Sequence, residues 1–131
     1  VKSKGLIFDP TLFLCIENKM DWAIRFVKRA NQIGVKICAG TDYINDLNRP
    51  FPFIFDELDL YVEKCDFYPM EAIFTVTKVA AEALGICNKV GTVEVGKQAD
   101  LLILSGNPFD DIKELRKIKV VIKRGIEINV D

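Results

Sequence analysis

VGTVEVGKQADLLILSGNPFDD, residues Val90–Asp111, is the stretch on which the reading of this chain turns. Gly91 and Gly96 suit tight reversals, because glycine alone enters positive φ without a Cβ penalty. Lys97–Asp100 is a polar step. Leu101–Leu104 is a short apolar run of the size of a buried strand, and Asn107-Pro108 turns the chain away from it. In this local grammar Asp100 is a bonding partner for backbone amides in the turn, and Lys97 is solvated.

Outward from that stretch the chain reads as alternating strands and helices. Leu6-Ile7-Phe8 is a short strand stopped by Asp9-Pro10. From Glu17 to Ile33 the apolar residues Met20, Ala23, Ile24, Val27, Ala30 and Ile33 recur at helical spacing, with Gly34 placed to end the helix. Val35–Ala39 is a second strand, followed at once by Gly40-Thr41-Asp42. Strand, helix, strand predicts a βαβ unit with parallel strands. Tyr43–Phe55 reads as a loop interrupted by Pro50 and Pro52, whose Phe51, Phe53 and Phe55 seek apolar contact. Ile54, Leu58, Tyr61, Val62 and Cys65 resume helical spacing. A further helix is expected from Pro69, a good first-turn residue, to Leu84, with Gly85 as its stop. Asp111–Arg116 is a short polar helical turn, and Lys119–Lys123, Arg124-Gly125 and Ile126–Val130 form a hairpin. A composition shift near residues 86–91 divides an α/β part, 1–86, from a mostly β part, 87–131.

The chain has 131 residues, half of them hydrophobic, with 18 basic and 19 acidic side chains and a net charge of −1. Such a balanced surface offers no electrostatic argument for nucleic acid or an anionic membrane. No apolar run approaches the ~20 residues of a spanning helix, and the composition leads us to expect a cytoplasmic protein. Cys15, Cys38, Cys65 and Cys87 form no Cys-x-x-Cys pair and read as buried free thiols. Histidine is absent.

Two motifs carry a family resemblance. Gly91-Thr92-x-x-x-Gly96-Lys97-x-Ala99-Asp100-Leu101 resembles the C-terminal signature of metal-dependent amidohydrolases of the imidazolonepropionase- and dipeptidase-like branch. Gly34–Asp42, with its Ala39-Gly40-Thr41-Asp42 ending, resembles their eighth barrel strand. Pro69–Ile73 and Ala80–Gly85 are similar in wording to the helix that follows. The resemblance implies an α/β fold made of the last two β/α units of a TIM-type (β/α)8 barrel, residues 1–86, plus the C-terminal strands of a small β-sandwich, residues 87–131. A complete barrel takes roughly 250 residues, so a piece of a longer protein is expected, and a chain that begins with Val1 rather than methionine is consistent with that expectation. Tyr43 and Tyr68 depart from the family's wording. The first implies a different pocket wall, the second a weaker cap on the Pro69 helix.

The resemblance also implies a chemistry, hydrolysis of an amide or cyclic-amide C–N bond in a small molecule by metal-activated water. A divalent metal, zinc first, lowers the pKa of bound water from 15.7 toward about 7. A carboxylate beside it takes the proton and returns it to the leaving nitrogen. Asp42 falls on the family's catalytic, metal-linked aspartate. Read without the family, Asp42 is an ordinary turn residue after a strand. Asp9, Asp46 and Asp56 are further oxygens that no spacing marks as a cage. One carboxylate falls short of the three protein ligands of a catalytic zinc, so the isolated chain is expected to bind no metal tightly and to be inactive. The rival expectation is a truncated, non-catalytic homologue serving as a small binding or scaffold domain. Unpaired strand edges and apolar faces lead us to expect self-association.

Overall fold

The computed structural model describes residues 5–17, 20–42 and 54–129. Its first unit is the expected βαβ. Strand β1 (Ile7–Phe8) runs parallel to β2 (Lys36–Ile37), Ile7 opposite Lys36 and Phe8 opposite Ile37. The Cys38 N–H extends the ladder by donating to the Phe8 carbonyl at 3.0 Å. The crossover contains two helices rather than one, α1 (Leu12–Glu17) and α2 (Trp22–Gln32). Residues 12–16 are all apolar, so α1 has no polar face and leaves no 3.6-residue signal. In α2 the stripe is Ala23, Val27 and Ala30, while Met20 and Ile33 are exposed. Gly34 closes α2 at φ 69°: its N–H donates to Asn31 O at 2.9 Å and that of Val35 to Ala30 O at 3.0 Å. This pair of bonds satisfies carbonyls that a helix end leaves open.

Helix α3 (Ile54–Lys64) follows, and then α4 (Pro69–Val76) and α5 (Lys78–Ala83). One helix was expected from Pro69 to Leu84; it breaks at Thr77, where φ is −120° and ψ −89°. The Thr75 and Thr77 hydroxyls bond back to the carbonyls of Ala72 and Ile73 at 2.6 and 2.7 Å, a competition with the backbone ladder that bends helices. Tyr68 gives α4 no side-chain cap, as its identity implied. Glu71 supplies one, accepting the Tyr68 N–H at 2.9 Å.

The core gathers Leu12, Ala23, Val27, Ala30, Ile37, Leu58, Tyr61, Cys65, Phe67 and Ala72 from α1 to α4, and Ile112 from the C-terminal part. Ile112 opens a 3-10 helix (Ile112–Arg116) that fastens this part to α3. Arg116 bonds Asp56 and Asp59, both at 2.8 Å, and lies 5.5 Å from the centre of the Phe55 ring, while Lys113 pairs with Glu63 at 2.8 Å.

The remaining strands, β3 (Leu101–Leu104), β4 (Ile118–Lys123) and β5 (Ile126–Ile128), form an antiparallel sheet in the order β3-β4-β5. The expectation that Leu101–Leu104 is buried is corrected: Leu102 and Ile103 are about half exposed, at 50% and 44%. A sheet buries a face only against a second layer, and among the described residues β3 meets the 3-10 helix beyond its own sheet. The hairpin turn has Arg124 at φ 53° and Gly125 at φ 78°, the two positive angles of a tight two-residue connection.

Asp100 ties that turn to the start of β3. Its carboxylate accepts the Arg124 N–H at 2.8 Å and the Lys123 ammonium at 2.6 Å. Lys123 first, and the Arg124 amide second, hold its pKa down to about 2 from 3.8. A depressed carboxyl pKa contributes stability that is present above the unfolded value and lost as pH falls through the folded one. Melting of the C-terminal hairpin should therefore shift downward between about pH 4 and pH 2. Asp100→Asn should remove that dependence, and a variant that melts with the unaltered acid profile would refute the tie.

Candidate functional site

Because β1 and β2 are parallel, their C-terminal ends emerge on the same side. That side of an α/β sheet is where barrel enzymes place their chemistry. Asp9 follows β1 directly. Cys38, Ala39, Gly40, Thr41 and Asp42 follow β2, and the Ala39 N–H donates to the Thr75 carbonyl of α4 at 3.3 Å. The two segments touch. A Cβ on Gly40 would lie 2.9 Å from Asp9 Oδ1 and closer still to Oδ2, so a glycine is what lets the Asp9 carboxylate sit there. Asp42 is exposed and has φ 44°, a left-handed conformation that aspartate tolerates better than most residues.

Behind this end lies a carboxylate not singled out in the sequence. Glu57 of α3 is wholly buried. Its Oε1 accepts the Leu12 N–H at 2.9 Å and its Oε2 the Phe13 N–H at 2.5 Å. Burial raises its pKa; the Phe13 and Leu12 amides and Tyr61 pull the other way, with less effect. Tyr61 is also wholly buried; among the described residues its hydroxyl has no partner within hydrogen-bonding geometry, yet it is near enough to Glu57 for each to shift the other, and its pKa is driven up by burial and then by Glu57. One signal was available: Glu57, Tyr61 and Cys65 stand at i, i+4 and i+8, an acid within an apolar stripe.

The cysteines divide. Cys65 is buried and its thiol is pushed up to about 12, by desolvation first and then by Glu57 and Asp66. Cys38 is raised by burial and by Asp9. Cys15 is partly buried, and Cys87 is exposed, against the expectation of four buried thiols. Lys97 is not solvated either: its ammonium bonds Thr92 Oγ1 at 2.5 Å and lies 3.4 Å from Glu94. Asp56 is engaged by Arg116, while Tyr43, Asp46, Phe51 and Phe53 lie outside the described residues. Among the described residues no group of three or more His, Cys, Asp or Glu side chains converges as a metal would require. Asp42 contributes one carboxylate, so these donors do not make a metal centre by themselves.

Residues 14–128 match the Amidohydrolase family, and the chain belongs to it. It is 35% identical over 95 residues to the imidazolonepropionase of Thermoplasma acidophilum (70% of this chain, 23% of the relative). To the imidazolonepropionase of Thermoplasma volcanium it is 37% identical over 79 residues, 60% of this chain and 19% of that protein. Among solved structures, a Xaa-Pro dipeptidase with bound methionine in its active site superposes with a TM-score of 0.82 at 29% identity, over 98% of this chain and 36% of the dipeptidase. The ochratoxinase of A. niger gives a TM-score of 0.78 at 28% identity, over 96% and 32%. The chain thus spans about a quarter of the imidazolonepropionase of T. acidophilum and about a third of the dipeptidase.

Proposed function

We propose that this chain is the C-terminal part of a metal-dependent amidohydrolase that breaks a C–N bond in a small amide or cyclic-amide substrate. Residues 1–86 supply its last two β/α units and residues 87–131 strands of its β-sandwich. Asp42 is the group that takes a proton from the attacking water and delivers it to the leaving nitrogen. The supporting observation is the close approach of Asp9 to Gly40, two residues before Asp42, at the C-terminal end of a parallel strand pair, in a chain of this family. Relatives named imidazolonepropionase and Xaa-Pro dipeptidase favour a small amide-type substrate. The metal, zinc the first to try, would take its other ligands from outside the described residues.

The test is the whole product of the reading frame that encodes Val1–Asp131, assayed with X-proline dipeptides and cyclic amides. Hydrolysis that stops on chelation and returns with zinc is the expected result. A whole product that cleaves none of these would overturn the reading in favour of a non-catalytic domain.

The chain by itself should self-associate, since Leu102, Ile103, Ile126 and Ile128 leave apolar surface on the sheet and, among the described residues, β1 and β2 form a sheet of two strands. Gel filtration with light scattering should show a dimer or larger. A monodisperse monomer with a cooperative melt would sink this expectation.

A further inference from the structure

We propose that Glu57 is a positioning residue: its buried carboxylate reaches from α3 to hold the turn after β1, and so seats Asp9 against Gly40 on the approach to Asp42. The catalytic meaning of that placement rests on the function proposed above; the strut itself does not.

The Leu12 and Phe13 N–H groups are the first two of α1, and the first N–H groups of a helix have no partner within it. Both go to Glu57, 45 and 44 residues further along the chain. The residue before them, Thr11, has φ 44°, a conformation that a β-branched residue holds only when its surroundings impose it. Two bonds to a fixed carboxylate impose it here. One residue further back Pro10 limits the chain, and then comes Asp9 with its carboxylate over Gly40. Glu57 therefore links the segment after β1 to the helix that follows the segment after β2.

Packing does not ask for a carboxylate at this place. Leu58 and Tyr61 are the other buried residues of α3, and an apolar side chain would fill the volume without the desolvation a buried charge suffers. The groups acting on Glu57 are Tyr61 on α3, Cys65 just past its end, Asp9 after β1 and the two amides of α1, while Cys38 after β2 acts on Tyr61. From α2, Lys28 goes to Asp66, at 2.9 Å. A carboxylate among acids and apolar groups has a raised folded pKa, and the sign follows from that. The stability it adds is full below its unfolded pKa and is lost as pH rises through the folded one. The chain keeps an ionisable acceptor at 57 at the expense of stability near neutrality, as expected of a residue retained to place something rather than to stabilise the core.

Amide hydrogen exchange on the intact chain, with Glu57→Gln beside it, tests this. A glutamine accepts with one oxygen and turns an N–H₂ toward the other amide. Protection at Leu12 and Phe13 should fall by about tenfold or more, the worth of a bond to a charged acceptor. The Gly40 amide resonance should move with it. The unaltered chain should lose stability as pH rises through the Glu57 pKa, and the variant should not. Unchanged protection and an unmoved Gly40, with stability lost uniformly over pH, would reduce Glu57 to packing. If the variant does not fold, the unaltered chain decides: Leu12 and Phe13 amides exchanging at open-chain rates overturn the strut, and protected ones uphold it. None of these readouts uses hydrolysis, so an inactive whole protein would remove the catalytic reading and leave the strut standing.

Discussion

Asp42→Asn in the whole protein is expected to lower kcat for C–N hydrolysis by about 10²–10⁴-fold, the usual worth of a positioned acid–base group. An asparagine has the same shape but cannot carry the proton from water to the leaving nitrogen. KM should change little, because the loss falls on the transition state rather than on substrate binding. The fold should not suffer. Asp42 is exposed and its φ of 44° is one that asparagine also adopts readily, so a melting temperature within about 2 °C of the parent's is expected, as for an exposed site. Steady-state kinetics on the two proteins decide the matter. A variant with undiminished kcat would make Asp42 the turn residue that most Thr-Asp pairs are.

The second large effect is on stability. Tyr61 is completely buried and stacks on Phe67 with ring centres 4.9 Å apart and planes 26° from parallel. Tyr61→Ala should cost about 3–5 kcal/mol, as aromatic-to-alanine changes in cores do. In a domain of this size that is a large share of a total of about 5–15 kcal/mol. Tyr61→Phe should behave differently. Among the described residues its hydroxyl has no partner within hydrogen-bonding geometry, and removing an unsatisfied polar group is neutral or stabilising. Urea unfolding of the pair separates ring from hydroxyl. A loss of about 2 kcal/mol or more in Tyr61→Phe would show that the hydroxyl is bonded, with Glu57, which shifts its pKa, the acceptor to ask about.

Local chemistry explains what was legible before any coordinates. The Ala23, Val27 and Ala30 centre of the α2 stripe, the Gly34 and Gly85 stops and the Arg124-Gly125 turn are each set by a few neighbouring residues, and each is found where the residue pattern places it, while the expected ends of the stripe, Met20 and Ile33, are exposed. The parallel pairing of β1 with β2 is likewise legible, because a strand–helix–strand run closes in one way. Helix α1 escaped because an apolar run has no period. The break at Thr77 escaped because threonine back-bonding is one option among several until neighbours are in place; here Gly91 brings its chain against the Thr77 carbonyl.

By itself, then, the sequence determined the βαβ start, the C-terminal hairpin, the family through its two motifs, and Asp42 as the residue to question, since all of these reside in contiguous stretches of chain. Tertiary structure alone decided that Leu102 and Ile103 stay half exposed, that Asp9 rests on Gly40, and that Glu57 reaches the amides of Leu12 and Phe13. Those facts depend on which surfaces meet across more than thirty residues of chain. Burial and the pairing of a charge are properties of that meeting, not of any one segment.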